Sequence, residues 1–201
     1  MTKRVTLVPG AAGSGAFWAP IMARLPEAWD KRAIDLPGLG SIPAQPNING
    51  YDDLVDDVAQ TISIPSAIVA QSMGSYIALQ LALRHPQLVT ALVLAAATGG
   101  VSAASHGAAE WRADYASAYP QAAPWASSRV PDLIARAPVI AVPTLLIWAT
   151  RDALSPLSIA HTLSQSMRST TLITFDSDDH WFVHRFADEA AAAIKDFIQR
   201  T

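Results

Sequence analysis

Apolar residues along this chain fall in short dense runs separated by longer stretches in which they recur periodically. The dense runs are Val5–Val8, Ala67–Ala70, Val89–Ala97, the segment from Pro143 to Trp148, and the segment from Thr170 to Phe175. Each has the length of a strand, and most lack an alternating polar face, as expected for strands covered on both sides of a parallel sheet. A sixth strand is predicted over Lys31–Leu36, K-R-A-I-D-L. Between the runs the period changes to that of a helix. Ile21, Met22 and Leu25 follow Ala16-Phe17-Trp18, and Tyr51, Leu54, Val55, Val58, Ala59 and Ile62 form one stripe. Tyr76–Leu83 is apolar nearly all round, which suits a helix buried against a sheet. Pro156–Met167 and Ala187–Gln199 complete the helices, the last with Ile194, Phe197 and Ile198 facing inward. About six strands alternating with as many helices predict an α/β fold, a mostly parallel sheet with helices on both faces.

One stretch breaks the alternation. Residues 99–138 are rich in Ala, Ser, Gly and Pro and contain no strand-like run. Trp111, Tyr115 and Tyr119 are spaced by four, so three aromatics share one helix face. The segment is predicted to be a short cap inserted after a strand, within a single domain spanning 1–201. Its stripe is expected to be buried over the site.

Composition narrows the function. The chain has 201 residues, half of them hydrophobic and 15% charged, with a formal net charge of −3. A sizeable core follows, and disorder does not. No cluster of Lys and Arg offers a surface for nucleic acid. The absence of cysteine excludes disulfides, thiolate metal sites and a cysteine nucleophile. No apolar segment reaches the length of a membrane span, and no secretory leader precedes the first strand, so a cytoplasmic protein is expected.

The turns at strand ends carry the candidate chemistry. Ala70-Gln71-Ser72-Met73-Gly74 reverses the chain from strand to helix in very few residues, and small residues on both sides of Ser72 permit that reversal. In an open parallel sheet ligands bind beyond the carboxyl ends of the strands. Asp152 follows one strand and His180 the next, so Ser72, Asp152 and His180 fall at the same edge. A serine hydroxyl needs an imidazole to take its proton, and the imidazole needs a carboxylate to fix its tautomer. A tetrahedral oxyanion needs donors, for which the backbone N–H groups of Met73 and of Ala11, in Pro9-Gly10-Ala11-Ala12-Gly13-Ser14-Gly15, are placed. His184 competes with His180, and Asp176, Asp178 and Asp179 compete with Asp152. Asp35, with Gly38 and Gly40, is expected to fix a turn near the site. Trp18, Trp111, Tyr115 and Trp181 are candidates for the substrate pocket. His85, His106 and His161 are scattered and suggest no metal site, and no cofactor is called for.

Through P-G-A-A-G-S-G-A-F-W, D-L-P-G-L-G, A-Q-S-M-G, L-L-I-W-A-T-R-D and D-D-H-W the sequence resembles the α/β-hydrolase fold family over nearly its whole length. Ala70 stands where the family elbow usually has Gly, Pro9 where it has His, and Ala149 and Asp179 where it has Gly. The family's first two strands are expected to be missing, because Val5 already begins the strand before the oxyanion loop. The order Ser, Asp, His is that of the family. The resemblance implies a small serine esterase acting through an acyl-enzyme on a small to medium carboxylic ester. Thioester, lactone or amide cleavage would use the same groups. The family also includes C–C hydrolases, lyases, cofactor-independent peroxidases and non-catalytic ligand-binding members.

Overall fold

The computed structural model describes residues 2–201. Six strands form one sheet in the order β2-β1-β3-β4-β5-β6, and every neighbouring pair is parallel. They are β1 Arg4–Val8, β2 Asp30–Ala33, β3 Ser66–Gln71, β4 Val89–Ala95, β5 Thr144–Ala149 and β6 Thr170–Phe175. The helices are α1 Ala19–Met22, α2 Tyr51–Thr61, α3 Gly74–Arg84, α4 Arg112–Ala118, α5 Leu157–Ser166, α6 Phe182–Arg185 and α7 Ala187–Arg200.

Side chains alternate across the sheet, and each face builds its own core. Ile68 and Ala70 of β3, Leu92 and Leu94 of β4, and Leu146 and Trp148 of β5 join the face covered by α2, α3 and α5. Ala67, Val69, Val93 and Ile147 point the other way and pack against Ile21, Phe182, Ile194 and Ile198. Central strands β3 and β5 are buried at every position, as their unbroken apolar runs require. The edge strands β2 and β6 are partly exposed.

Two elements differ from the periodic pattern. The second strand is shorter than K-R-A-I-D-L and ends at Ala33, because Asp35 and Leu36 are used by a turn. Leu36 N–H donates to Gly13 O at 2.8 Å, and Asp35 Oδ1 accepts from Gly15 N–H at 2.8 Å. The helix expected from Ala16 to Leu25 is a 3₁₀ turn, Gly15–Trp18, capped by the Ser14 hydroxyl, followed by the single turn of α1. Pro20, which lacks an N–H, sits at its start.

Between β4 and β5 the 99–138 segment holds α4 and short 3₁₀ turns and no strand. Aromatic side chains pin it to the body by their polar tips. Tyr115 Oη accepts from Gly40 N–H at 2.7 Å, Tyr51 Oη donates to Ala126 O at 2.6 Å, and Trp125 Nε1 donates to Ile48 O at 3.2 Å. Burial raises the Tyr115 and Tyr51 phenols above their ordinary range, so both stay neutral in these bonds.

Candidate active site

The turn after β3 places Ser72 in the left-handed region, φ 52°. Such backbone is costly for a residue with a Cβ and persists only where its surroundings fix it. Ser72 N–H donates to Ala95 O at 2.9 Å, and Ser72 O accepts from Ser75 N–H at 3.1 Å and from Thr98 N–H at 3.3 Å. Gly74 is obligatory here, since a Cβ on it would lie 2.2 Å from Pro9 O. Ala70, by contrast, is fully buried among apolar neighbours on the α2–α3 face, so the extra methyl of this elbow is accommodated.

Three strand ends then bring Ser72, His180 and Asp152 into one line. His180 Nε2 is 2.9 Å from Ser72 Oγ, and His180 Nδ1 is 2.6 Å from Asp152 Oδ2. Asp152 is 3% exposed. Its other oxygen, Oδ1, accepts from Leu154 N–H at 2.8 Å and Ser155 N–H at 3.0 Å. The carboxylate is therefore aimed by two backbone donors, and its charge is held without a cation. With Nδ1–H donating to Asp152, Nε2 is the acceptor and the Ser72 hydroxyl donates to it.

The rival residues are engaged elsewhere. His184 sits on α6, bonds Phe17 O through Nε2 at 2.7 Å and lies against the Phe17 ring. Asp176 points to solvent and pairs with Arg151, whose guanidinium holds its carboxyl below the usual range. Asp179 accepts from Trp181 N–H at 2.8 Å, which shapes the loop carrying His180.

The loop after β1 faces Ser72. Gly13 N–H donates to Gly10 O at 3.0 Å and closes the turn that contains Ala11. The Asp35–Gly40 turn interlocks with it: a Cβ on Gly40 (φ 55°) would lie 1.9 Å from Ala12 O, and one on Gly13 (φ 78°) 2.4 Å from Leu39 O. Only glycine permits this approach of two backbones. Asp35, Gly38 and Gly40 thus fix a turn beside the site. Neither the Ala11 nor the Met73 N–H donates to another described residue.

Above the line lies a cleft of about 490 Å³ lined by Ser72, His180, the Gly10–Ala12 loop and cap residues. Trp111, Tyr115 and Tyr119 form one wall with successive ring centroids 5.3 and 5.1 Å apart. Trp181, 57% exposed, stands at its mouth. Trp18 does not line it. That indole is fully buried beneath the sheet among Ile21, Phe182 and their neighbours, and the preceding Phe17 reaches the cleft instead. In the 3₁₀ turn adjacent side chains point about 120° apart, so a one-residue choice decides which aromatic faces the pocket.

The sequence pattern passes over two further residues, Gln71 and Thr98. Both line the cleft. Thr98 Oγ1 lies 3.2 Å from Ser72 Oγ. Its signal was its place, a polar residue directly after the apolar run of β4, at the same carboxyl edge as the three reacting candidates. Among the described residues no group of three or more His, Asp or Glu is arranged to hold a metal ion. Among the described residues no helix is long and apolar enough to cross a membrane.

Residues 3–124 match the family model described as alpha/beta hydrolase fold. The pimeloyl-[acyl-carrier protein] methyl ester esterase of Neisseria meningitidis (serogroup C) is 28% identical over 98% of this chain and 94% of its own length. The putative carbamate hydrolase RutD of Serratia proteamaculans is 35% identical over 47% of this chain and 37% of its own. An esterase from Exiguobacterium antarcticum superposes with a TM-score of 0.82 at 17% identity, covering 98% of this chain and 92% of that one, a likeness of fold.

Proposed function

The chain belongs to the α/β-hydrolase fold family, and on that premise we propose that it is a serine hydrolase cleaving small to medium, uncharged carboxylic esters. The observation that carries this is the unbroken line Asp152–His180–Ser72, with contacts of 2.6 and 2.9 Å, at the floor of a cleft walled by aromatics. Ser72 Oγ attacks the ester carbonyl while His180 Nε2 takes its proton. Asp152 holds Nδ1–H and steadies the imidazolium. The carbonyl oxygen gains the electron pair and is met by the N–H groups of Ala11 and Met73, donors that need no reorganisation. Collapse expels the alcohol, which leaves with the proton from His180. Water then repeats the sequence on the acyl-enzyme, releasing the acid and restoring Ser72.

The substrate class follows from the walls. Trp111, Tyr115, Tyr119, Phe17 and Trp181 offer apolar area, and among the described residues no Lys or Arg lines the cleft. Its ionisable lining beyond His180 and the tyrosines is acidic, Asp114 and the Arg112-paired Glu110, so the cleft disfavours an anionic group and the aromatic area suits an apolar one. The methyl ester named for the Neisseria relative supports an ester with a small alcohol part.

A fluorophosphonate probe tests the reading. Wild type is expected to label, and Ser72→Ala and His180→Ala to lose labelling by at least about 100-fold, as removal of a nucleophile or its base requires. A folded wild type that stays unlabelled overturns it.

A further inference from the structure

We propose that Thr98 is a further catalytic residue, whose hydroxyl donates to Ser72 Oγ and serves deacylation in particular. This rests on the acyl-enzyme reading above.

The direction of the bond follows from its neighbours. Asp152 accepts from His180, so His180 Nε2 must accept from Ser72. Ser72 Oγ has spent its proton and can only accept at its other contact, which is Thr98 Oγ1 at 3.2 Å. Thr98 Oγ1 makes no other hydrogen bond among the described residues, so nothing competes for its proton. Its placement is not accidental rotation of a surface side chain. Thr98 is 8% exposed, its own N–H is bonded to Ser72 O at 3.3 Å, and the following Gly99 N–H reaches the same oxygen at 3.4 Å. Gly99 is packed so closely that a Cβ would lie 2.6 Å from Met73 O. The chain leaving β4 is thus tied to the elbow at both backbone and side chain.

The chemistry gives this contact different weight in the two halves of the reaction. In the free enzyme Ser72 Oγ is an alcohol oxygen, a good acceptor, and the Thr98 bond is already made. An interaction present equally in ground state and transition state does not accelerate the step. In the acyl-enzyme Oγ is an ester oxygen whose lone pair is delocalised into the carbonyl, a poor acceptor, and the bond is weak. Water attack ends that delocalisation: His180 takes the water proton, the carbonyl pair moves to the oxyanion, and Oγ becomes a tetrahedral acetal-like oxygen. When the C–Oγ bond then breaks, its electron pair stays on Oγ and His180 returns the proton. The Thr98 hydroxyl strengthens its bond through both events, and so lowers the barrier to deacylation and hardly that to acylation.

Stopped-flow hydrolysis of a p-nitrophenyl ester reads the two steps separately. Thr98→Val keeps the shape and removes the donor. Its burst rate is expected within about twofold of wild type, while the following steady-state rate falls about tenfold, the size of one hydrogen bond gained in the transition state. Thr98→Ser, which keeps a hydroxyl, is expected to restore deacylation to within about threefold. Thr98→Ala supplies the same readout if the valine variant melts below the assay temperature. Equal losses in both phases, or an unchanged steady-state rate in a folded hydroxyl-free variant, overturn the proposal. A wild type with neither burst nor turnover overturns instead the hydrolase reading on which it rests.

Discussion

At the scale of single residues, burial and hydrogen-bond partners, more than position after a strand, separate the carboxylates. Asp152 and Asp176 each follow a strand, β5 and β6, and each lies beside a charged or polar partner. Asp152 is buried and tied to two backbone amides and His180; Asp176 is in solvent against Arg151. Asp152→Asn is expected to lower kcat by about 10³- to 10⁴-fold, because an amide favours the wrong imidazole tautomer. Asp176→Asn is expected to leave kcat unchanged. Its effect is on stability. The Asp176 carboxyl titrates below its ordinary range in the folded chain, so its contribution is present above the unfolded carboxylate range and disappears as pH falls through the folded value. Urea midpoints of wild type and Asp176→Asn should therefore converge toward acid pH and in high salt, where the Arg151 pairing is screened. The line Asp152–His180–Ser72 was legible as far as each residue follows a strand at one sheet edge; spacing alone left His184 and Asp176, Asp178 and Asp179 as rivals, and the contacts of 2.6 and 2.9 Å single out one set. The place of Trp18 was not legible, because the sequence marks Phe17 and Trp18 equally and only the 3₁₀ geometry turns the first outward and the second into the core.

At the scale of elements, the 99–138 segment is the least regular part and the one whose role depends most on a few bonds. Its aromatic stripe was readable as i, i+4, i+8 spacing, and all three rings do share a wall. The spacing could not say that Tyr115 also reaches out of the stripe to Gly40. That bond joins the cap to the Asp35–Gly40 turn, which in turn interlocks with the loop carrying Ala11. Tyr115→Phe leaves a buried N–H unpaired and is expected to cost about 1–3 kcal/mol. Hydrogen exchange should then quicken in residues 99–138 and around Gly40, with strands β3 and β4 keeping their protection. Uniform quickening across the sheet would contradict that local assignment. The strand boundaries followed the apolar runs closely for β3, β5 and β6; β2 ended early because Asp35, which a strand would have paired in the ladder, is drawn to Gly15 N–H instead.

At the scale of the whole molecule, the sheet separates two cores that have different duties. One lies under the cap and the α2–α3–α5 layer; the other, between the sheet and α7, touches no residue of the cleft's cap wall. Ile194→Ala empties space in that second core, where Ile194 is fully buried, and is expected to cost about 2–5 kcal/mol in urea unfolding. Turnover per folded molecule should stay within about twofold, since the groups around Ser72 are anchored from the carboxyl edge. The same division bears on how such a protein could diverge over generations. The Ser72–His180–Asp152 line hangs from strand ends beside interlocked glycines, whereas the cleft's aromatic wall is carried by one short helix, α4, and its flanks. Inherited changes at Trp111, Ala118 or Tyr119, which all line the cleft, can therefore redraw what it admits while leaving untouched the Ser72–His180–Asp152 line, so that descendants of one chain can acquire new diets on an unchanged floor.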